Sequence, residues 1–183
     1  MTQLALLDVI RDAANGRRTE GLPRPVIARF LAVDASLGLA IDRAHVRWKE
    51  LRSTQPALLA LDEAALIARL LADFVNFYPQ EGVAPYVPLA ASGPWIVTTH
   101  GAVLHDNGGY GMLGLGHAPP AVDGVLGQPQ VMANVMTASF SQRRFTARLK
   151  EEIGHRRQGG CPFDRFLCVN SGSEAMSVAS KFA

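Results

Sequence analysis

At 183 residues the chain is long enough to bury one ordinary core or to supply part of a larger fold. Hydrophobic residues at 48% against 19% charged exclude an intrinsically disordered chain, and a net charge of +2 gives no general attraction to nucleic acid or an anionic membrane. The arginine pairs Arg17–Arg18, Arg143–Arg144 and Arg156–Arg157 are dispersed among acids and read as solvated faces. Two cysteines, Cys161 and Cys168, cannot build a disulfide framework, and Cys168 in its apolar run reads as a small buried side chain. The apolar stretch 4–10 is broken by Asp8 and followed by Arg11 and Asp12, unlike a secretory signal. No run approaches the ~18 uncharged apolar residues that span a bilayer. A cytoplasmic protein is expected.

Residues 1–78 read as helical. Thr2 caps a helix with Leu4, Leu7 and Ile10 on one face, ending near Asn15 and Gly16. A second helix runs over 25–31, with Pro25 tolerated in its first turn, and a third over 41–51, with Ile41, His45 and Trp48 on a shared side. A fourth is expected over 62–77, where Leu66, Leu70, Phe74 and Phe77 recur at helical spacing before Pro79. The apolar stripes of this block read as core or docking surface.

From Pro79 to Gly127 glycine and proline are dense. Residues 95–99 and 102–104, joined by a tight turn at Gly101, read as two short strands, and 110–115 as a third, giving a small meander. Residues 120–136 are weakly helical. Ser141 is expected to cap a stronger helix bearing Phe145, Leu149 and Ile153, with His155, Arg156 and Arg157 in its last turn. Residues 166–169, apolar throughout, suit a buried strand. The turn Ser171, Gly172, Ser173 follows, and a helix opens at Glu174. This order reads as the start of an α/β unit with a parallel sheet.

That turn is the most chemical feature of the chain. Amides and hydroxyls converge there where a helix dipole is positive, which suits a phosphate dianion, and Gly172 lets the backbone approach a ligand. Ser171 or Ser173 equally serves as a helix cap and nothing more. Other patterns carry less. Gly109, Gly111 and Gly114 fit GxGxxG as a string but lack the strand, helix and distant acid that a dinucleotide site needs. His100, His105 and His117 lack metal-ligand spacing, and His117 reads as closing a turn by hydrogen bonding.

Val169, Asn170, Ser171, Gly172, Ser173, Glu174 and Ala175, followed by Ala179 and Lys181, resemble the phosphate-cup segment of the class III pyridoxal-phosphate-dependent aminotransferases. The resemblance extends upstream in order. Gly101, His105, Asp106 and Tyr110, then Leu115, Gly116, His117, Ala118 and Pro119, look like that family's strand-turn-strand segment ending in Leu-Gly-His and a proline. The match covers residues 93–183. It implies an α/β, fold-type I transferase in its amino-terminal portion: a helical extension (1–78), a small-domain β-meander and linker (79–136), and the truncated start of the large domain (137–183).

The resemblance further implies that Ser171, Gly172 and Ser173 hold the phosphate of pyridoxal 5'-phosphate, and that Tyr110 falls near an aromatic position lining the substrate pocket. Residues 136–140 resemble a stretch that relatives place near the partner subunit's active site. The implied reaction moves an amino group between a small-molecule amino donor and a keto-acid acceptor in a homodimer. No catalytic residue carries over. The Schiff-base lysine and the carboxylate for the pyridine nitrogen lie downstream of this turn in the family, and Lys49, Lys150 and Lys181 match neither. Because the sequence stops inside a helix, a longer intact protein is expected, and the 183 residues alone are expected to be inactive. Two alternatives stand beside this: another fold-type I enzyme (aminomutase, racemase or decarboxylase), or a non-catalytic helical interaction module.

Overall fold

In the computed structural model Thr2 starts the first helix as its position predicts. Its hydroxyl accepts from the Ala5 amide at 3.3 Å, and α1 spans Gln3–Ala13, turning Leu7 and Ile10 fully inward. The structure describes residues 1–75, 79, 82–107, 114–127 and 137–182. They fall into two compact units, Met1–Pro129 and Gln130–Ala183.

The first unit continues with α2 (Arg24–Leu31), α3 (Ala35–Thr54), α4 (Pro56–Leu59) and α5 (Glu63–Leu71). Strands β1 (Pro88–Ser92), β2 (Trp95–Thr98) and β3 (Val103–His105) form an antiparallel meander in that order, followed by α6 (Pro120–Leu126). The register pairs Ala91 with Ile96 and Ser92 with Trp95, then Ile96 with Leu104 and Val97 with Val103. The fold is thus a mixture of helices and one small antiparallel sheet.

Helix α3 is the spine. Leu37, Ala40, Ile41, Ala44 and Trp48 recur at three- and four-residue intervals and are all buried, so one stripe faces the core. That stripe packs on β1 and β2 and on α1. Leu7, Ile10, Ile27, Trp95, Val97 and Val103 complete the same cluster, so the helices before position 79 and the strands after it share one core. Each such side chain contributes roughly 1.5–3 kcal/mol by leaving water.

Several expectations are corrected in detail. Helix α3 begins six residues before the expected start at Ile41, because Asp34 caps it. Helix α5 ends at Leu71, short of position 77: Phe74 is 77% exposed, and the expected contribution of Phe77 lies outside the described residues. Strand β1, between prolines and rich in alanine, was not expected. Of the expected third strand over 110–115, Gly114 and Leu115 form a turn and 110–113 lie outside the described residues. Residues 128–136 of the weakly helical stretch also lie outside them.

In the second unit α7 spans Phe140–Gly154 and α8 Gly172–Ala179. The cap of α7 is Ser139 rather than Ser141. Its hydroxyl accepts from the Gln142 amide at 3.1 Å while the Gln142 side chain accepts from the Ser139 amide at 3.2 Å. His155 is the C-cap, so the basic cluster at 155–157 lies beyond the last turn. Residues 166–169 are not a buried strand. Leu167 is 70% exposed, Cys168 and Val169 are also exposed, and none of the four residues is in a strand. Among the described residues no helix is long and apolar enough to cross a membrane.

A half-buried polar contact ties the start of α3 to the sheet. Asp34 accepts from the Ser36 amide at 2.9 Å and the Ser36 hydroxyl at 2.5 Å through Oδ1, and from the Trp95 indole Nε1 at 2.7 Å through Oδ2. The Ser36 hydroxyl first, then the Trp95 N–H, hold its carboxyl below the ordinary aspartate value. A depressed folded-state pKa means stability that is present above the ordinary aspartate range and is lost as pH falls through the folded value. Asp34→Ala is expected to cost about 2 kcal/mol at neutral pH, from a lost cap and an indole N–H left without its acceptor. Urea melts at pH 7 and pH 3 check this: the loss should shrink at the lower pH.

Candidate functional site

The structure places Ser171 just before α8 and Gly172 and Ser173 in its first turn, so the helix starts two residues before the expected Glu174. Ser171 is the N-cap, extended at φ −148° and ψ 158°, and its Oγ accepts from the Glu174 amide at 3.2 Å. Glu174 reaches back, its Oε2 accepting from the Asn170 amide at 2.7 Å. Sequence reasoning missed this second bond, although Ser171 followed three residues later by a glutamate is the capping-box signature. The cap reading is therefore right as far as it goes.

The cap leaves donors over. An α-helix begins with amides that its own carbonyls cannot reach. Among the described residues the Gly172 and Ser173 amides have no partner, and they sit at the positive end of the α8 dipole. A Cβ built on Gly172 meets nothing within 4 Å, so the backbone there is open to close approach. Two amides, the Ser173 hydroxyl and the proton of the Ser171 hydroxyl make a donor set that fits a phosphate. The Glu174 carboxylate in the first turn opposes a dianion, and its bond to the Asn170 amide ties one of its oxygens to the chain just before the cap. Lys150 lies within α7 and Lys181 in the turn after α8. Tyr110, expected near a substrate pocket, lies outside the described residues, as does Met136.

A second polar constellation sits at the base of the meander in the first unit. His117 and Gly93 exchange both backbone bonds, at 2.7 and 3.0 Å, and the Asp106 amide donates to Pro94 O at 2.7 Å. His117 Nε2 stands 3.1 Å from Asp106 Oδ2, so this histidine closes a turn as its sequence context indicates. His105 lies edge-on to Trp95 at 4.8 Å, and its Nδ1 is 2.6 Å from Asn107 Oδ1. His100 is buried, with Nε2 3.2 Å from Leu61 O, which requires Nε2 to carry a proton, and Nδ1 3.0 Å from the Thr99 hydroxyl. All three histidines thus have structural partners.

Backbone conformation fixes the same base. Gly116 has φ +74°, and a Cβ there would lie 2.9 Å from Gly93 O and 3.0 Å from its carbonyl carbon. Ala118, at φ 48°, occupies the left-handed region with a side chain. Opposite outcomes follow for the two positions. Gly116→Ala should destabilise by roughly 2 kcal/mol or more, whereas Ala118→Gly should be neutral or stabilising by up to about 1 kcal/mol. Thermal melts of the two variants distinguish them.

Compared with models of known protein families, with curated proteins and with solved structures, the chain shows no match.

Proposed function

We propose that this chain belongs to a pyridoxal 5'-phosphate-dependent aminotransferase of the class III type, built on the fold-type I plan, and that residues 171–173 hold the cofactor phosphate. The observation that carries the reading is the start of α8: two amides without partners beside a glycine with open space, flanked by two serine hydroxyls. When bound, the cofactor would supply the electron sink for amino-group transfer. Gly172 and Ser173 would donate backbone N–H groups to the phosphate, Ser173 its hydroxyl, and Ser171 would keep the turn extended while capping the helix. The wider reading adds a small-molecule amino donor, a keto-acid acceptor, a homodimer and a cytoplasmic setting, all resting on the sequence resemblance.

The test compares pyridoxamine 5'-phosphate with pyridoxamine. Neither has an aldehyde to react indiscriminately with Lys49, Lys150 or Lys181. The phosphorylated form should bind at least about tenfold more tightly, as expected of charge-assisted bonds to the phosphate. Gly172→Asp should abolish that difference, since it places a carboxylate where the phosphate would lie. The open space around Gly172 lets the helix accept the new side chain, and circular dichroism checks that it does. Equal binding of the two amines, or an unaffected Gly172→Asp variant, would contradict the proposal.

A further inference from the structure

The first unit contains a cavity of about 140 Å³ that no part of the phosphate turn explains. It lies where α4 bridges the end of α3 and the start of α5 above β1. Helix α4 is one turn long, started by Pro56, and its Leu58 and Leu59 are only half-buried. Four residues cannot fill the space between two longer helices and a strand, so the side chains beneath do not close on one another. Leu51, Leu58, Leu59, Leu66, Val87 and Leu89 form most of the wall. An apolar cavity of this size, about that of an engineered void of ~150 Å³ that takes up benzene, accommodates a ring or a chain of about six carbons.

Its polar groups are few and of one sign. Arg47 is the only charged side chain among the lining residues; Gln55 and Thr99 are the other polar ones. Arg47 is half exposed and binds Glu50 Oε2 at 2.6 Å through Nη1 alone, leaving further guanidinium donors for a second acceptor. No acid lines the wall to receive an amine.

We infer that this cavity binds a short aliphatic carboxylate, with the alkyl chain against the leucines and the carboxylate on Arg47. The site lies wholly within the first unit, so it stands or falls separately from the phosphate turn.

Titration of the full chain with hexanoate, followed by calorimetry, tests the inference. Saturable binding with Kd on the order of a millimolar is expected for so small a ligand, with hexan-1-ol at least about fivefold weaker. Arg47→Gln, at an exposed lip, should reduce hexanoate to the level of the alcohol. Leu58→Trp should fill the cavity and remove both. If that variant does not fold, Leu70→Phe at a lining position 42% exposed narrows the same space. Absence of saturable hexanoate binding would overturn the assignment. Equal affinity for acid and alcohol with no effect of Arg47→Gln would overturn the carboxylate. Hexanoate binding that disappears as the chain self-associates would give the cavity to a second copy, and that too would overturn it.

Discussion

An α-helix opens with backbone amides that its own carbonyls cannot reach, and in this protein the way those donors are met organises the fold. Asp34, Asp62, Ser139 and Ser171 each turn a side-chain oxygen onto an amide of the helix that follows. Asp34 does more, because its second carboxylate oxygen receives the Trp95 indole and so ties the start of α3 to the first residue of β2. Phe30 and His105 close on the same indole ring, at centroid distances of 4.9 and 4.8 Å. A helix cap and the first residue of a strand thus meet at one carboxylate, and two aromatic rings pack on the indole that it holds. The position of α3 over the sheet, and hence the core stripe from Leu37 to Trp48, depends on it.

The same principle acts at a distance around α5. Glu63 is fully buried at the first position of that helix, and its Oε2 accepts from the Arg18 and Thr19 amides, both at 2.7 Å. A loop between α1 and α2 therefore takes its backbone acceptor from a helix more than forty residues on. Arg11 adds a further tie, its Nε donating to Gly101 O at 2.8 Å, and the Leu22 amide donates to Val103 O. Burial of polar groups in this unit is nearly always matched by a partner, although Glu63 Oε1 has none. At α8 the accounting is the same as at α1, α5 and α7: the cap takes the third amide, here that of Glu174, and the first two, those of Gly172 and Ser173, remain available. What sets α8 apart from the other capped helices is the glycine-serine pair at its start, with open space around Gly172.

Local signals in the sequence read well where they are self-contained. Thr2 as a cap, the glycine turn between β2 and β3, and the serine cap at 171 all depend on a few adjacent residues. The signals that failed depend on neighbours far along the chain. Residues 166–169 are apolar, but a strand is a property of a pair, and exposure of Leu167 and Val169 shows the pattern alone does not supply one. Strand β1 went unread for the opposite reason: Leu89, Ala90 and Ala91 alternate weakly, and their pairing with β2 makes the strand. The stripe from Leu66 to Phe74 overran the helix because periodicity marks a face without marking where packing stops. Ser139 and Ser141 are alike as isolated cap signals, and only the pairing of Ser139 with Gln142 three residues on decides between them. At the candidate site the serine cap is legible in the sequence, but the back-bond from Glu174 to Asn170 is not, nor are the roles of half-buried Asp34 and fully buried Glu63.

The proposed role of the Gly172 and Ser173 amides as phosphate donors can be read at the two amides themselves. Backbone ¹H–¹⁵N spectra of the labelled chain, recorded while pyridoxamine 5'-phosphate is added, address it most directly. Downfield shifts concentrated at the Gly172 and Ser173 amides are expected, absent when pyridoxamine without phosphate is added. Shifts confined to other residues, or no saturable shift at these two amides, would contradict it.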